Sequence, residues 1–130
     1  IAYDIERTAD HVESILYLIR VKEENKMVFS KTEEEELKKG FDQVKYMFKT
    51  LYIGIEDNSL SKLRQCNNIE MEIDEIVKEA RKNHLARLRN EECQPHSGVI
   101  FADIFLHLER MGDLLYAISK NFLNIKEYKV

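Results

Sequence analysis

Carboxylates recur in pairs one helical turn apart along this chain. Three pairs share the spacing Glu-x-x-x-Asp: Glu6 and Asp10, Glu70 and Asp74, and Glu109 and Asp113. Residues four apart on a helix lie on one face, so the two charges of a pair repel each other unless a cation lies between them. Carboxylate oxygens bind divalent and iron-type metal ions. Metal binding at these carboxylates is therefore one interpretation, but such pairs also arise by chance on a solvated acidic surface, and the spacing alone favours that alternative.

Two of the pairs lie inside a repeated phrase. Residues 5–10 read Ile-Glu-Arg-Thr-Ala-Asp, and residues 108–113 read Leu-Glu-Arg-Met-Gly-Asp. Both phrases continue to an isoleucine at the same offset, Ile15 and Ile118. A phrase that recurs near the two ends of a chain indicates an internal repeat. The repeat is a stronger argument for a shared function of the carboxylates than their spacing alone.

The remaining patterns argue against an enzyme. The Glu-x-x-His spacing of ferritin-like di-iron bundles is absent from the sequence,. The chain also lacks a Gly-rich phosphate loop and a Gly-x-Ser-x-Gly motif,.

His84 falls on an apolar helix face, which is typical of a core histidine. We expect His11 and His107 to be partly exposed and His96 to lie in a loop.

The composition favours long helices in a globular protein. The chain has 130 residues, of which 44% are hydrophobic and 34% charged, with one Pro and four Gly. So few turn residues argue against an all-β fold.

The net charge is −4 and the basic residues are interleaved with acids, so no nucleic-acid partner is expected,. Cys66 and Cys93 lack CxxC spacing, which fits a reducing compartment,.

Apolar residues at helical spacing predict four amphipathic helices. The first covers residues 1–29, the second begins at the capping box Ser30-Lys-Thr-Glu33, the third covers residues 60–89, and the fourth lies beyond Gly98,. Short connections between long helices predict an all-α, antiparallel four-helix bundle that forms one domain over residues 1–130. The sequence contains no run of 18 apolar residues, so it predicts no membrane-spanning helix,. The chain starts at Ile1 inside a periodic pattern, so we interpret it as a fragment of a longer protein.

The periodicity also predicts which residues face the core. They are Ile5, Ala9, Val12, Leu16 and Ile19 in the first helix; Leu37, Phe41, Val44, Phe48, Leu51 and Ile55 in the second; Ile69, Ile73, Ile76 and Ala80 in the third; and Phe101, Ile104, Leu108, Met111, Leu115 and Phe122 in the fourth.

The sequence resembles a known family at two places. Residues 4–15, Asp-Ile-Glu-Arg-Thr-Ala-Asp-His-Val-Glu-Ser-Ile, are similar to the Glu-Arg-Ile-(small)-Asp-His…Asn-Ile signature of PhoU-family proteins. The stretch from His84 to Asp113 resembles the C-terminal segment of Na/Pi-cotransporter-family proteins, which carry a PhoU-like domain on the cytoplasmic side of their transmembrane region. The resemblance covers essentially the whole chain. It implies three-helix repeats, so that helices two to four form one repeat and the first helix ends a preceding one.

The resemblance also implies how the carboxylates are used. Family members hold metal ions on the carboxylates of Glu(Asp)-x-x-x-Asp motifs at the bundle surface. Glu70 and Asp74 are then expected to face Glu109 and Asp113 across two helices as a complete site. The first pair, at residues 6 and 10, is expected to find its partners upstream of residue 1.

Three positions depart from the family pattern. Leu114 stands where the signature has His, Ala117 stands where it has Asn, and Ser14 takes the Asn position of the first copy. The second copy therefore keeps its acids without their polar companions.

The implied function is regulatory. We expect an accessory domain of Na/Pi transport at the cytoplasmic face of the membrane, in contact with a transporter domain of the same or a separate chain. The alternative is a free-standing PhoU-like regulator of a separate transporter or sensor kinase. A carboxylate-rich metalloenzyme and a plain structural bundle are less favoured. A homodimer is one expected assembly. Contact with phosphate is expected to be indirect, because the sequence has no anion nest.

Overall fold

A computed structural model describes residues 1–127, with side chains described through residue 125. Nearly all of this part is helical, in four long helices: α1 (Ala2–Glu24), α2 (Lys31–Glu56), α3 (Leu60–Arg89) and α4 (Pro95–Glu127). No strand occurs among the described residues. The predicted all-α fold with four helices is confirmed. None of the described helices is long and apolar enough to cross a membrane.

The start of each helix follows from its capping residues. The Ser30 hydroxyl accepts from the Glu33 backbone N–H, and the Glu33 carboxylate accepts from the Ser30 N–H, so the predicted capping box is present,. Ser59 caps α3 by accepting from the Lys62 N–H,. Helix α4 begins earlier than predicted, at Pro95, because proline is well suited to a first helical position,.

The first three helices end in the same way. Lys26 (φ 53°), Asn58 (φ 52°) and Glu91 (φ 56°) each follow a helix in the left-handed conformation. The next N–H then reaches back across the last turn; for α2, the Ser59 N–H donates to the Gly54 carbonyl at 2.9 Å. This is the Schellman arrangement, formed without its usual glycine. It ends α1 at Glu24, before the predicted end near residue 29.

Three of the helices form the core. Helices α2, α3 and α4 each pack against the other two, and α1 packs against α4 alone among the described helices. Neighbouring side chains show that α3 runs antiparallel to α2 and to α4. Arg87 near the end of α3 pairs with Glu36 near the start of α2, and His84 near the end of α3 stacks on Phe101 near the start of α4. The arrangement is a four-helix bundle in which three helices form a unit and one helix flanks it, as the family resemblance implies.

The inward faces predicted for α2, α3 and α4 are largely confirmed. Leu37, Val44, Leu51 and the third- and fourth-helix stripes are buried or partly buried, and Phe48 is the exception at 39% exposed. The prediction for α1 is wrong. Its apolar stripe is exposed, with Leu16 at 61% and Ile5 at 55%, and the buried residues of α1 are Thr8 and Ile15. The periodicity is helical as expected, but α2 does not lie against this face of α1.

Candidate metal centre

Three of the predicted carboxylates converge on one point of the surface. Glu70 and Asp74 project from α3, and Asp113 projects from α4. One oxygen from each lies within 4.8 Å of the others. Glu70 is partly buried, and Asp74 and Asp113 are exposed. The structure therefore brings together the α3 pair and the second member of the α4 pair.

The small residue of the repeated phrase explains how α4 reaches this point. Gly112 is buried, and a Cβ atom at this position would lie 3.3 Å from Cγ2 of Ile73. Glycine therefore allows the α4 backbone to approach the α3 core face closely. Asp113 follows directly, so its carboxylate emerges at the seam between the two helices beside the α3 pair.

The burial of Glu70 and the two neighbouring carboxylates perturb its carboxyl group. The pKa of Glu70 is raised from 4.5 to about 7, first by burial and then by its hydrogen bond with Asp74 and the negative charges of Asp74 and Asp113. At pH 7 Glu70 is therefore about half protonated. A proton shared among crowded carboxylates is the alternative to a bound cation.

The donor set fits a hard or borderline cation. Three carboxylate oxygens on two helices supply anionic ligands, and the two exposed residues leave room for water to complete the coordination of Mg²⁺, Mn²⁺ or Ca²⁺,. A dication binding there would displace the Glu70 proton and remove the mutual repulsion. The chemistry that the cluster supports is cation binding coupled to release of a proton.

The other three predicted ligands lie elsewhere. Oε2 of Glu109 is 3.7 Å from a guanidinium nitrogen of Arg81 on α3, so this residue forms an ion pair beside the cluster. Glu6 and Asp10 are exposed on α1 and join no group of three ligand residues within the part of the chain that the structure describes. The expected four-carboxylate site is thus a three-carboxylate cluster with a neighbouring ion pair.

Sequence reasoning missed one further pair of polar side chains. Nδ1 of His11 on α1 lies 2.8 Å from Nδ1 of His107 on α4, and the ring centroids are 5.1 Å apart. Both imidazoles are partly buried, consistent with the predicted partial exposure. Burial, the positive charges of Arg7 and Arg110 and the neighbouring imidazole lower the pKa of His11. The repeated phrase does not single out His11, because the equivalent position in the second copy is Leu114.

The remaining candidates for chemistry are structural. His84 is buried against the Phe101 ring, as predicted for a core histidine. Its burial and the nearby Arg87 lower its pKa. Both cysteines are free. Burial raises the pKa of the Cys66 thiol to about 11, so it stays protonated and unreactive at neutral pH,.

Comparison with known proteins agrees with this architecture. The model of the PhoU domain matches residues 37–122, which run from α2 through α3 to most of α4. The match therefore covers the three mutually packed helices and leaves α1 outside. No curated protein and no solved structure matches the chain. The matched segment is about two thirds of the sequence and includes all three carboxylates of the cluster, so the chain belongs to the PhoU domain family.

Proposed function

We propose that this chain is a regulatory domain of phosphate uptake that acts on a Na/Pi-type transporter by direct protein contact. The observation that carries the proposal is the PhoU match over α2, α3 and most of α4, because PhoU domains are regulatory and non-enzymatic. The resemblance of residues 84–113 to Na/Pi-cotransporter proteins supports the choice of transporter. On this proposal the domain works at the cytoplasmic face of the membrane.

An apolar trough between α1 and α2 supports the contact. Because these helices do not pack together, a cavity of about 630 Å³ lies between them, and its floor is formed by Leu115, Ile118 and Phe122 of α4. A second cavity of about 300 Å³ continues the trough towards Leu16 and Phe41. Exposed apolar surface of this extent on one side of a helical domain is typical of a binding face.

The shape of the trough favours a helical partner segment. Two antiparallel helices form its walls and a third forms its floor, which is the geometry of an amphipathic helix lying in a groove. We propose that an apolar helical segment of the transporter occupies it. The three-carboxylate cluster lies on the α3–α4 seam, away from the trough. A cation bound there would stiffen the three-helix unit without covering the docking face.

The docking face is tested by introducing negative charges into it, in the native gene and in the cell. Leu16→Glu and Phe48→Glu place a carboxylate on each wall of the trough. Leu85→Glu is the matched control, because Leu85 is 50% exposed on α3, which does not line the trough. Uptake of radiolabelled phosphate is measured in sodium and in choline buffer, after growth in high and in low phosphate.

Both trough variants are expected to lose most of the difference in uptake between high and low phosphate, and the control to keep it. If only the sodium-dependent part of the uptake loses this difference, the regulated transporter is of the sodium-coupled class. Circular dichroism checks that each variant remains helical. Normal regulation in folded Leu16→Glu and Phe48→Glu would refute contact through this face.

The cation site is tested separately on the purified protein. Isothermal titration with Mn²⁺ is expected to show at least a tenfold weaker affinity for Asp113→Asn than for the unsubstituted chain. Glu109→Gln is the matched control, since it removes a carboxylate four residues away that is already paired with Arg81. Equal Mn²⁺ affinity in all three proteins would exclude the cluster as a metal site.

A further inference from the structure

The contact between α1 and α4 contains two converging imidazoles. Helix α1 packs against no other described helix, and within this contact the Nδ1 atoms of His11 and His107 lie 2.8 Å apart. The rings are tilted by 52° and neither is fully buried. A metal-free pair of this kind shares one hydrogen bond, in which one Nδ1–H donates to the other Nδ1 lone pair. The same two atoms are also ligand atoms for transition metals.

We propose that His11 and His107 form a two-imidazole site for a divalent transition-metal ion, which links α1 to α4. This site is separate from the carboxylate cluster, which contains no histidine and lies at the contact of α4 with α3. It does not depend on the proposed role in phosphate uptake. The ligand class differs as well, because imidazole suits Ni²⁺, Cu²⁺ and Zn²⁺, whereas carboxylates suit Mg²⁺, Ca²⁺ and Mn²⁺.

The distance between the two nitrogens favours some ions over others. With metal–nitrogen bonds of about 2.0–2.1 Å, a nitrogen separation of 2.8 Å gives an angle at the metal of about 85–90°. That is the angle between adjacent ligands in octahedral or square-planar coordination, which Ni²⁺ and Cu²⁺ adopt. Tetrahedral Zn²⁺ needs the nitrogens to be about 3.3 Å apart. The separation therefore matches Ni²⁺ or Cu²⁺ better than Zn²⁺,. Both rings would have to turn, because the hydrogen-bonded N–H and lone pair point along the line between the two nitrogens and the ion lies beside that line.

Metal binding requires little rearrangement of protons. In the hydrogen-bonded pair, one histidine carries its proton on Nδ1 and the other on Nε2. When both Nδ1 atoms bind the ion, the first histidine moves its proton to Nε2, so both rings stay neutral. The pair loses its shared hydrogen bond and gains two metal–nitrogen bonds.

The surroundings set the expected strength of the site. No carboxylate, thiol or third imidazole joins the two histidines among residues 1–125, so water would fill the other coordination positions. Asp10 lies near enough to favour positive charge at His11, and Arg7 and Arg110 disfavour it. We therefore expect a modest affinity that follows the order Cu²⁺ above Ni²⁺ above Mn²⁺.

The test titrates Ni²⁺ into the full chain. The background carries Asp74→Asn and Asp113→Asn, so that the carboxylate cluster does not contribute. The background protein is expected to bind one Ni²⁺, and His11→Gln or His107→Gln is expected to weaken that binding at least tenfold. The matched control is His96→Gln, because His96 is exposed at the start of α4. Equal Ni²⁺ affinity in the two interface variants and the control would overturn the proposal.

A second measurement needs no substitution at the pair. Paramagnetic Ni²⁺ broadens the NMR signals of the nuclei nearest to it. Substoichiometric Ni²⁺ is expected to broaden the ring signals of His11 and His107 before those of His84 and His96. Broadening that begins at His96 would overturn the proposal even if the glutamine variants failed to fold.

Discussion

The carboxylate cluster makes the stability of the metal-free protein depend on pH. The pKa of Glu70 is about 7 in the folded chain, against an ordinary value of 4.5. The folded state therefore binds more protons than the unfolded state between these two values. Stability is expected to fall as the pH rises from about 4.5 to about 7, because the unfolded state gives up its proton first.

The size of the effect follows from the two pKa values. At 1.36 kcal/mol for each tenfold change in proton affinity, the full difference corresponds to about 3.4 kcal/mol. Asp74 and Asp113 are exposed, and water and salt screen charges at such sites. The measured loss is therefore expected to be about 1–2 kcal/mol.

The assay is urea unfolding of the full chain in chelating buffer from pH 5 to pH 8, comparing the unsubstituted protein with Glu70→Gln. Glutamine resembles the protonated carboxyl group, so the two proteins should be about equally stable at pH 5. At pH 8 the variant should be more stable by about 1–2 kcal/mol. Histidine titration contributes equally to both proteins and cancels in the difference.

Glu109→Gln is the control for this experiment. Glu109 pairs with Arg81 beside the cluster, so its removal should not produce a stability gain that grows between pH 5 and pH 8. A constant difference between the unsubstituted protein and Glu70→Gln across this range would refute the reasoning. It would mean that the three carboxylates do not hold a proton in common.

Three further predictions concern stability, each measured by urea unfolding at pH 7. Glu36→Gln should lower the free energy of unfolding by about 2–3 kcal/mol. A guanidinium nitrogen of the largely buried Arg87 lies 2.5 Å from the Glu36 carboxylate, and the substitution leaves that positive charge without its partner. Glu91→Gly should raise stability by up to about 1 kcal/mol, since φ is 56° at this position and glycine adopts that conformation without strain,; no change would argue against the left-handed helix end. Gly54→Val should cost about 2 kcal/mol or more, because even a Cβ atom would lie 2.9 Å from Cδ2 of Leu63,.

The helices were predictable from the sequence because their ends are determined locally. Helix α3 begins and ends at the predicted residues, Leu60 and Arg89, since Ser59 supplies the cap and residues 90–94 interrupt the pattern. The end of α1 at Glu24 is not predictable in this way, because the helix ends where Lys26 adopts the left-handed conformation. Nothing in a lysine side chain predicts that conformation, whereas glycine would have done so.

Contacts between helices were predictable only in part. The spacing of Glu70 and Asp74 identifies a pair on one helix but not the residue that faces it. Asp113 and Glu109 both lie on α4, and the position of Arg81 on α3 determines that Glu109 forms an ion pair while Asp113 joins the cluster. That choice depends on how the two helices are rotated about their axes.

The exposure of the apolar stripe of α1 also depends on contacts between helices, which the sequence does not predict. Periodicity shows that one side of a helix is apolar, but it does not identify what covers that side. In α2, α3 and α4 the apolar sides meet one another. In α1 the stripe from Ile5 to Ile19 lies along the trough, where α2 is too far away to cover it. A stripe that looks like core in the sequence is, in the folded chain, one wall of the proposed docking face.

Helix α4 connects the two proposed ion sites. His107 faces α1 and Asp113 faces α3, and these residues are six positions apart, about 9 Å along the helix and about 240° around it. An ion at Asp113 would restrain α4 against the three-helix unit, and an ion at His107 would restrain the α1 wall of the trough. Because the ligands differ, Mn²⁺ should act mainly on the contact of α4 with α3, whereas Ni²⁺ should act on its contact with α1 as well. Saturating Mn²⁺ should therefore leave the mobility of α1 unchanged, whereas Ni²⁺ should reduce it.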